Sequence, residues 1–210
     1  LFSSLNEMQL DQLAAGSVRK SYPRGRTIVA EGEPSQSLYI LLSGRAKVQR
    51  SDSEGKEVIL AVIGPREFFG EMSLIDDSPR SASVITIESC DFMAINKDSF
   101  KAMLAQSPDI AMQIMRGLVR RLREADKKIE TLALLDVYGR VARVLLDFSE
   151  NVNGERVVKS KLPRQEIAKM IGASREMVSR VMKGLEIDGY IVPMGEGKLV
   201  LREKISSYLS

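Results

Sequence analysis

An α+β chain is the fold class this sequence predicts, with a β-rich first half, a long helix and a small helical second domain. Three observations predict it. Between Val18 and Ile95, short apolar or alternating runs are cut by glycines at 25, 32, 44, 55, 64 and 70. From Ala111 to Leu132, apolar residues recur at alternating spacings of four and three. Beyond Leu162, two short helical patterns are joined by a glycine-containing turn and followed by a strand–turn–strand pattern. Together they divide the chain at 1–108, 109–135 and 136–210.

Taken in order, Leu5, Met8, Leu10 and Leu13 have roughly helical spacing, with Gly16 as a stop. The runs that follow are Thr27–Val29, Leu38–Leu42, Ala46–Val48, Val58–Ile63 and Ala82–Ile87. Many short strands with glycine turns predict an antiparallel barrel or sandwich, jelly-roll-like in kind. Asp-Ser-Glu-Gly-Lys around Gly55 reads as a hairpin turn. Pro108 then opens a long helix. Ala111, Met115, Leu118, Leu122, Ala125, Ile129 and Leu132 form a heptad seam along it, about 33 Å of helix at about 1.5 Å per residue. The same stripe fits a core helix lying on the β unit. Its narrowness and its charged flanks favour a dimer seam, in which Arg121 faces Asp126 of a partner chain.

Asp136 is placed to cap the next helix, which runs through Phe148 with Val137, Val141, Val144, Leu145 and Phe148 on its apolar face. Ser149–Lys161 is polar and turn-rich. Pro163 suits a helix start, Gly172 a tight turn and Ser174 an N-cap, which makes a helix-turn-helix. On the second helix, Ser179, Glu176 and Arg180 lie at about 40°, 100° and 140° from Arg175, at about 100° per residue. Val181, Leu185, Val178 and Met182 occupy the opposite side. Tyr190–Val192 and Lys198–Leu201, around Met194-Gly195-Glu196-Gly197, read as a hairpin wing.

Composition excludes much. The 210 residues hold no histidine, no tryptophan and one cysteine. No Ser-His-Asp or Cys-His triad, no His-containing metal site and no internal disulfide can be built. A Walker loop and a GxSxG elbow are also missing, so the chain is not expected to be an enzyme. No apolar run reaches the roughly 20 residues of a membrane span, and sparse cysteine fits a reducing cytoplasm. Hydrophobic residues at 44% and charged ones at 28% suit a globular protein. The net charge of +3 is unevenly spread. Residues 1–136 carry 18 Lys/Arg against 19 Asp/Glu, and residues 137–210 carry 13 against 9. A neutral first unit and a basic second unit point to a polyanionic partner.

The helix-turn-helix supplies the chemistry for that partner. Arg175 and Arg180 can each give two donors to guanine, and Glu176 can accept from cytosine. Ser179 suits a phosphate or a base edge, and Lys169 and Lys183 suit phosphates. In the β unit the densest chemistry is Phe68-Phe69-Gly70-Glu71-Met72-Ser73-Leu74, then Pro79-Arg80-Ser81-Ala82-Ser83. Gly70 lets a ligand approach backbone N–H groups, Glu71 can accept from ribose hydroxyls, and Arg80 and Ser81 can bind a phosphate. These residues could equally be surface charges on a loop.

FGEMSL…PRSAS, LALLDVYGRVARVLL and PRQEIAKMIGASREMVSRVMKGLE closely resemble, in order and spacing, three motifs of the Crp/Fnr family of bacterial transcription regulators. The resemblance covers nearly the whole chain. It implies an N-terminal cyclic-nucleotide-binding β-roll, a long dimerisation helix and a C-terminal winged helix-turn-helix. It implies a homodimer on palindromic DNA with TGTGA-like half-sites, with RNA polymerase as a further partner. By position it assigns Gly70, Glu71, Met72, Ser73, Arg80, Ser81, Ala82, Arg121, Ala125 and Asp126 to the ligand. Arg164, Gln165, Ser174, Arg175, Glu176, Ser179, Arg180 and Lys183 go to DNA, and Met115, Leu118, Leu122, Ala125, Ile129 and Leu132 to the dimer. No cofactor or metal is implied; a cyclic nucleotide acts as allosteric effector.

One departure bears on that effector. Members that bind cyclic AMP place a Thr and a Ser on the dimer helix against adenine, where this chain has Ala125 and Asp126. Cyclic AMP is the leading ligand, with cyclic GMP and cyclic di-GMP as alternatives, or a ligand-independent regulator with a vestigial pocket. A cyclic-nucleotide module acting on a protein partner is the reading from another class. The family's iron–sulfur sensors need a cysteine cluster, whereas Cys90 stands alone in a strand-like run and is expected in or near the core.

Overall fold

Residues 16–159, 161–195 and 197–209 are described by the computed structural model. Apart from Gly16, the helix expected at 4–16 lies outside them. The chain divides into two compact units, one ending at Leu122 and the other starting at Arg123.

The first unit is built on two antiparallel four-stranded sheets. One has the order β1 (Ser17–Tyr22), β8 (Cys90–Asn96), β3 (Ser37–Ser43), β6 (Phe68–Phe69). The other has the order β2 (Thr27–Val29), β7 (Ser83–Thr86), β4 (Ala46–Ser51), β5 (Glu57–Ile63). Alternation along the strands explains the packing. Tyr39, Leu41, Phe69, Cys90 and Phe92 point from the first sheet towards Val29, Ala46, Ile63 and Val84 of the second and close the core between them. Leu38, Ile40, Phe68 and Ile95 point the other way, where helices cover them. A sheet buried on both faces needs apolar residues at successive positions, which is why Leu38–Leu41 and Phe68–Phe69 read as unbroken runs. Tyr39 stacks on Phe69 at 5.2 Å, and Phe92 meets both rings edge-on.

The covering helices are α1 (Met72–Ile75), α2 (Lys97–Gln106) and the first turns of α3 (Pro108–Leu134). Leu74, Phe100, Met103, Ile110 and Ile114 supply their buried side chains. Gly117 lets α3 approach closely, because a Cβ there would stand 2.8 Å from the Phe68 ring. Cys90 is 2% exposed and its thiol donates to the Arg45 carbonyl at 3.2 Å. Burial pushes that thiol up from its ordinary pKa, the profile of an inert structural cysteine.

The second unit holds α4 (Val137–Asp147), β9 (Glu150–Val152), β10 (Glu155–Val158), α5 (Arg164–Ile171), α6 (Arg175–Ile187), β11 (Ile191–Pro193) and β12 (Leu199–Leu201). A 3-10 helix, Glu203–Leu209, follows. As expected, Asp136 caps α4, its carboxylate accepting from Gly139 N at 2.8 Å. Val141, Leu145, Ile167, Ile171, Val178, Val181, Met182 and Leu185 join in one core from three helices. The sheet runs β11-β12-β10-β9, so the wing strands β11 and β12 continue a hairpin laid down before the helix pair. That first hairpin falls in the stretch expected to be only polar and turn-rich. Asn153 and Gly154 both have positive φ, 53° and 87°, as an Asn-Gly hairpin turn requires.

Candidate functional site

In the first unit the structure gathers Gly70, Glu71, Arg80 and Arg121. Gly70 has φ +85°, and a Cβ there would stand 2.2 Å from Arg80 Nη1, so only glycine fits this approach. The Arg80 guanidinium donates to the carbonyls of Gly70 at 3.0 Å and Ser37 at 2.7 Å. It lies 5.9 Å from the Tyr39 ring centre. The loop that carries it is pinned by two backbone bonds, Gly32 N to Arg80 O at 2.8 Å and Arg80 N to Glu33 O at 2.9 Å. Arg80 is 6% exposed and has no ion pair among the described residues. Burial lowers its pKa, with Tyr39, Glu71 and Glu33 acting against that. Arginine cannot release its proton under ordinary conditions, so the guanidinium stays charged in this buried position, and a further anion placed against it would be favoured.

Glu71 is 1% exposed. Its Oε1 accepts from Arg121 Nη1 at 2.7 Å, and Oε2 is buried with no partner. Arg121 also donates to the Phe68 carbonyl and lies over the Phe68 ring at 4.8 Å. A fixed guanidinium therefore holds one carboxylate oxygen and leaves the other as an acceptor. Around this centre, Met72 is exposed, while Ser73 and Ala82 are buried. The Ser73 hydroxyl donates to Pro79 O at 3.2 Å, so it braces the loop. Ser81 is exposed, its hydroxyl 3.9 Å from the Met72 sulfur. A cavity of about 320 Å³ elsewhere in the unit is lined by Gly25–Ala30 and Glu33, without any of these groups.

In the second unit α5, Gly172 and α6 form the helix-turn-helix. Gly172 ends α5 in the left-handed conformation, φ 66°. Ser174 Oγ accepts from Met177 N at 3.1 Å and starts α6. Arg140 donates to the Ile171 carbonyl at 3.0 Å, tying α4 to the end of α5. Val178, Val181, Met182 and Leu185 are buried, which turns Arg175, Glu176, Ser179, Arg180 and Lys183 outward. The Ser179 hydroxyl donates back to Arg175 O at 2.9 Å. Arg175, Glu176 and Arg180 form no ion pair among the described residues. Arg164, half-buried, and exposed Gln165 open α5.

Helix α3 has a buried side and an exposed apolar side. Ile110, Ile114 and Gly117 are buried, and Leu118 packs against the same core. The exposed apolar line is therefore displaced from the expected heptad. It follows Met112, Met115, Val119, Leu122 and Ile129, each from 46% to 65% exposed. Leu132 is 53% exposed, and Ala125 and Asp126 are exposed. In its own chain Arg121 is bonded to Glu71 and the Phe68 carbonyl.

Sequence reasoning missed the groups that fix the two arginines: the carbonyls of Ser37, Gly70 and Phe68, and the Phe68 ring. A carbonyl leaves no mark in residue type, whereas Phe68 was within the motif. Among the described residues no group of three potential metal ligands comes together, and no helix is long and apolar enough to cross a membrane.

Residues 19–107 match the family described as cyclic nucleotide-binding domain, and residues 139–204 match the Crp-like helix-turn-helix domain. The CRP-like cAMP-activated global transcriptional regulator of Mycobacterium tuberculosis is 39% identical over 184 residues, 86% of this chain and 81% of that one. The cyclic AMP receptor protein of Thermus thermophilus is 35% identical over 203 residues, 97% and 92% of the two chains. Among solved structures, the c-di-GMP responsive global regulator CLP of Xanthomonas campestris superposes with a TM-score of 0.80 at 29% identity. It covers 93% of this chain and 99% of its own.

Proposed function

The chain belongs to the Crp/Fnr family of DNA-binding transcription regulators, and from that premise we propose a cytoplasmic homodimer whose grip on palindromic DNA is switched by cyclic AMP. The observation that carries the ligand half is Arg80, a buried cation hydrogen-bonded to two carbonyls and in no ion pair among the described residues. A cyclic phosphate supplies the missing negative charge. A ribose hydroxyl can donate to the open Glu71 oxygen, next to Gly70, Ser81 and Ala82. A vestigial pocket would have no reason to keep an unpaired charge at this cost. The base would meet Ala125 and Asp126 on the dimer helix.

On the DNA side, Arg175, Glu176 and Arg180 read bases of a TGTGA-like half-site. Arg164, Gln165, Ser174, Ser179 and Lys183 hold phosphates and register. Two α6 helices about 34 Å apart meet successive major grooves, which requires the dimer. Met115, Leu122 and Ile129 form the middle of its seam. The nucleotide acts through its differential affinity for two arrangements of the dimer, so DNA and nucleotide tighten each other's binding reciprocally. RNA polymerase is the further partner.

Two observations keep a second effector in play. The side chain of Ala125 cannot hydrogen-bond a base, and a structural relative is described as c-di-GMP responsive. Calorimetry of cyclic AMP, cyclic GMP and cyclic di-GMP against the purified chain separates the readings. Cyclic AMP binding with the tightest constant supports the proposal. A preference for either guanine nucleotide replaces its ligand, and heatless mixing with all three removes it.

A further inference from the structure

We propose that Asp126 is a charged break in the seam of α3, placed so that two copies of the chain pay a repulsion to close it. The proposal rests on the homodimer reading above. It starts from the faces of one helix. Taking Ile110 as origin at about 100° per residue, Ile114, Gly117 and Arg121 lie at about 40°, 340° and 20°, the side committed to the chain's own first unit. The exposed apolar residues Met112, Val119, Met115, Leu122 and Ile129 lie at about 200°, 180°, 140°, 120° and 100°. Asp126 lies at about 160°, inside that line and not beside it.

The same conclusion follows from spacing. Met112, Met115, Val119, Leu122, Asp126 and Ile129 are separated by three, four, three, four and three residues. That is a coiled-coil register with Met112, Val119 and Asp126 at a, and Met115, Leu122 and Ile129 at d. A stripe of this period fits a helix of the same period. Every other helix in the described chain is 13 residues or shorter, so the matching surface is a second α3. In a parallel pair, a-position side chains face each other across the axis. Asp126 then meets Asp126 of the other copy, two like charges beside Leu122 and Ile129. Asp126 has no ion pair among the described residues, and Arg121, the cation expected to pair with it across the seam, is engaged by Glu71 and Phe68. The seam is thus apolar from Met112 to Leu122 and interrupted above it, and the interruption limits how tightly the copies associate.

Sedimentation equilibrium of the full chain at 0.05 M and 1 M NaCl tests this, comparing wild type, Asp126→Asn and Glu124→Gln, the last a charge loss on the far side of the helix. The wild-type dimer should tighten several-fold at high salt, where charges are screened within about 3 Å. Asp126→Asn should tighten it about tenfold at low salt and abolish the salt response; Glu124→Gln should do neither. An Asp126→Asn dimer no tighter than wild type, or an equal gain from Glu124→Gln, overturns the assignment. A wild-type chain that stays monomeric throughout overturns the homodimer reading itself.

Discussion

The two functional regions hold their arginines in opposite ways. Arg80 is 6% exposed, and both of its recorded hydrogen bonds are spent on carbonyls of its own unit. Arg175 and Arg180 stand in solvent on a helix whose other face is locked by Val178, Val181, Met182 and Leu185. The first arrangement suits a small ligand. A buried, pre-oriented charge gains most from one anion in a low-dielectric site, and the protein bears its desolvation beforehand. The second suits a polymer that arrives hydrated and is read at many points. There the scaffold is rigid and the contacting side chains are left free. The difference teaches that the proposed ligand site is part of the fold and the proposed DNA face is carried by it.

Substitutions can break that contrast. Arg80→Leu should have the largest effect. Two charge-assisted bonds to a phosphate, at about 1.5–3 kcal/mol each, correspond to a loss of nucleotide affinity of at least a hundredfold. It should also shift the thermal midpoint, because the carbonyls of Ser37 and Gly70 lose their donor. Unchanged calorimetric binding would remove the pocket assignment. Arg180→Ala should leave the midpoint where it is and cost about 1–3 kcal/mol of discrimination at one guanine. A uniform loss over all sequences in a competition gel shift would make Arg180 a phosphate contact instead. The smallest effect concerns a surface carboxylate of the first unit. Hydrogen bonds from Ser21 and Arg19 hold Asp91 below its ordinary pKa of 3.8. Its stabilisation is therefore present above that value and is lost as pH falls through the lowered one. Asp91→Asn should lower the first unit's stability slightly at neutral pH and converge with wild type in acid, which flattens the acid side of the curve in a series of denaturant titrations.

Much of this was legible in the sequence because local chemistry and global fold agree. Asp136 and Ser174 cap the helices they were expected to cap, since a short side-chain oxygen before an apolar period has few other uses. The polar and apolar faces of α6 separate as the wheel predicts. Two things were not read. The β9–β10 hairpin was passed over although Asn153-Gly154 carries its turn signal, because the flanking runs are only three and four residues long. The stripe of α3 was read with Leu118 between Met115 and Leu122, whereas Leu118 packs against the core and Val119 is exposed. Both registers share Met115, Leu122 and Ile129. Only the packing of Leu118 against the core decides between them, and that is a tertiary fact. The Ser37 carbonyl that anchors Arg80 lies on a strand 43 residues away and has no local signature.

The central claim is that one nucleotide controls one DNA-binding surface. Its most direct test is a gel shift on a TGTGA palindrome with increasing cyclic nucleotide, in parallel for wild type and Arg80→Leu. The account predicts a shifted band for wild type that appears only as nucleotide is added, and none for Arg80→Leu at the same concentrations. Equal shifting by both proteins without nucleotide would contradict it.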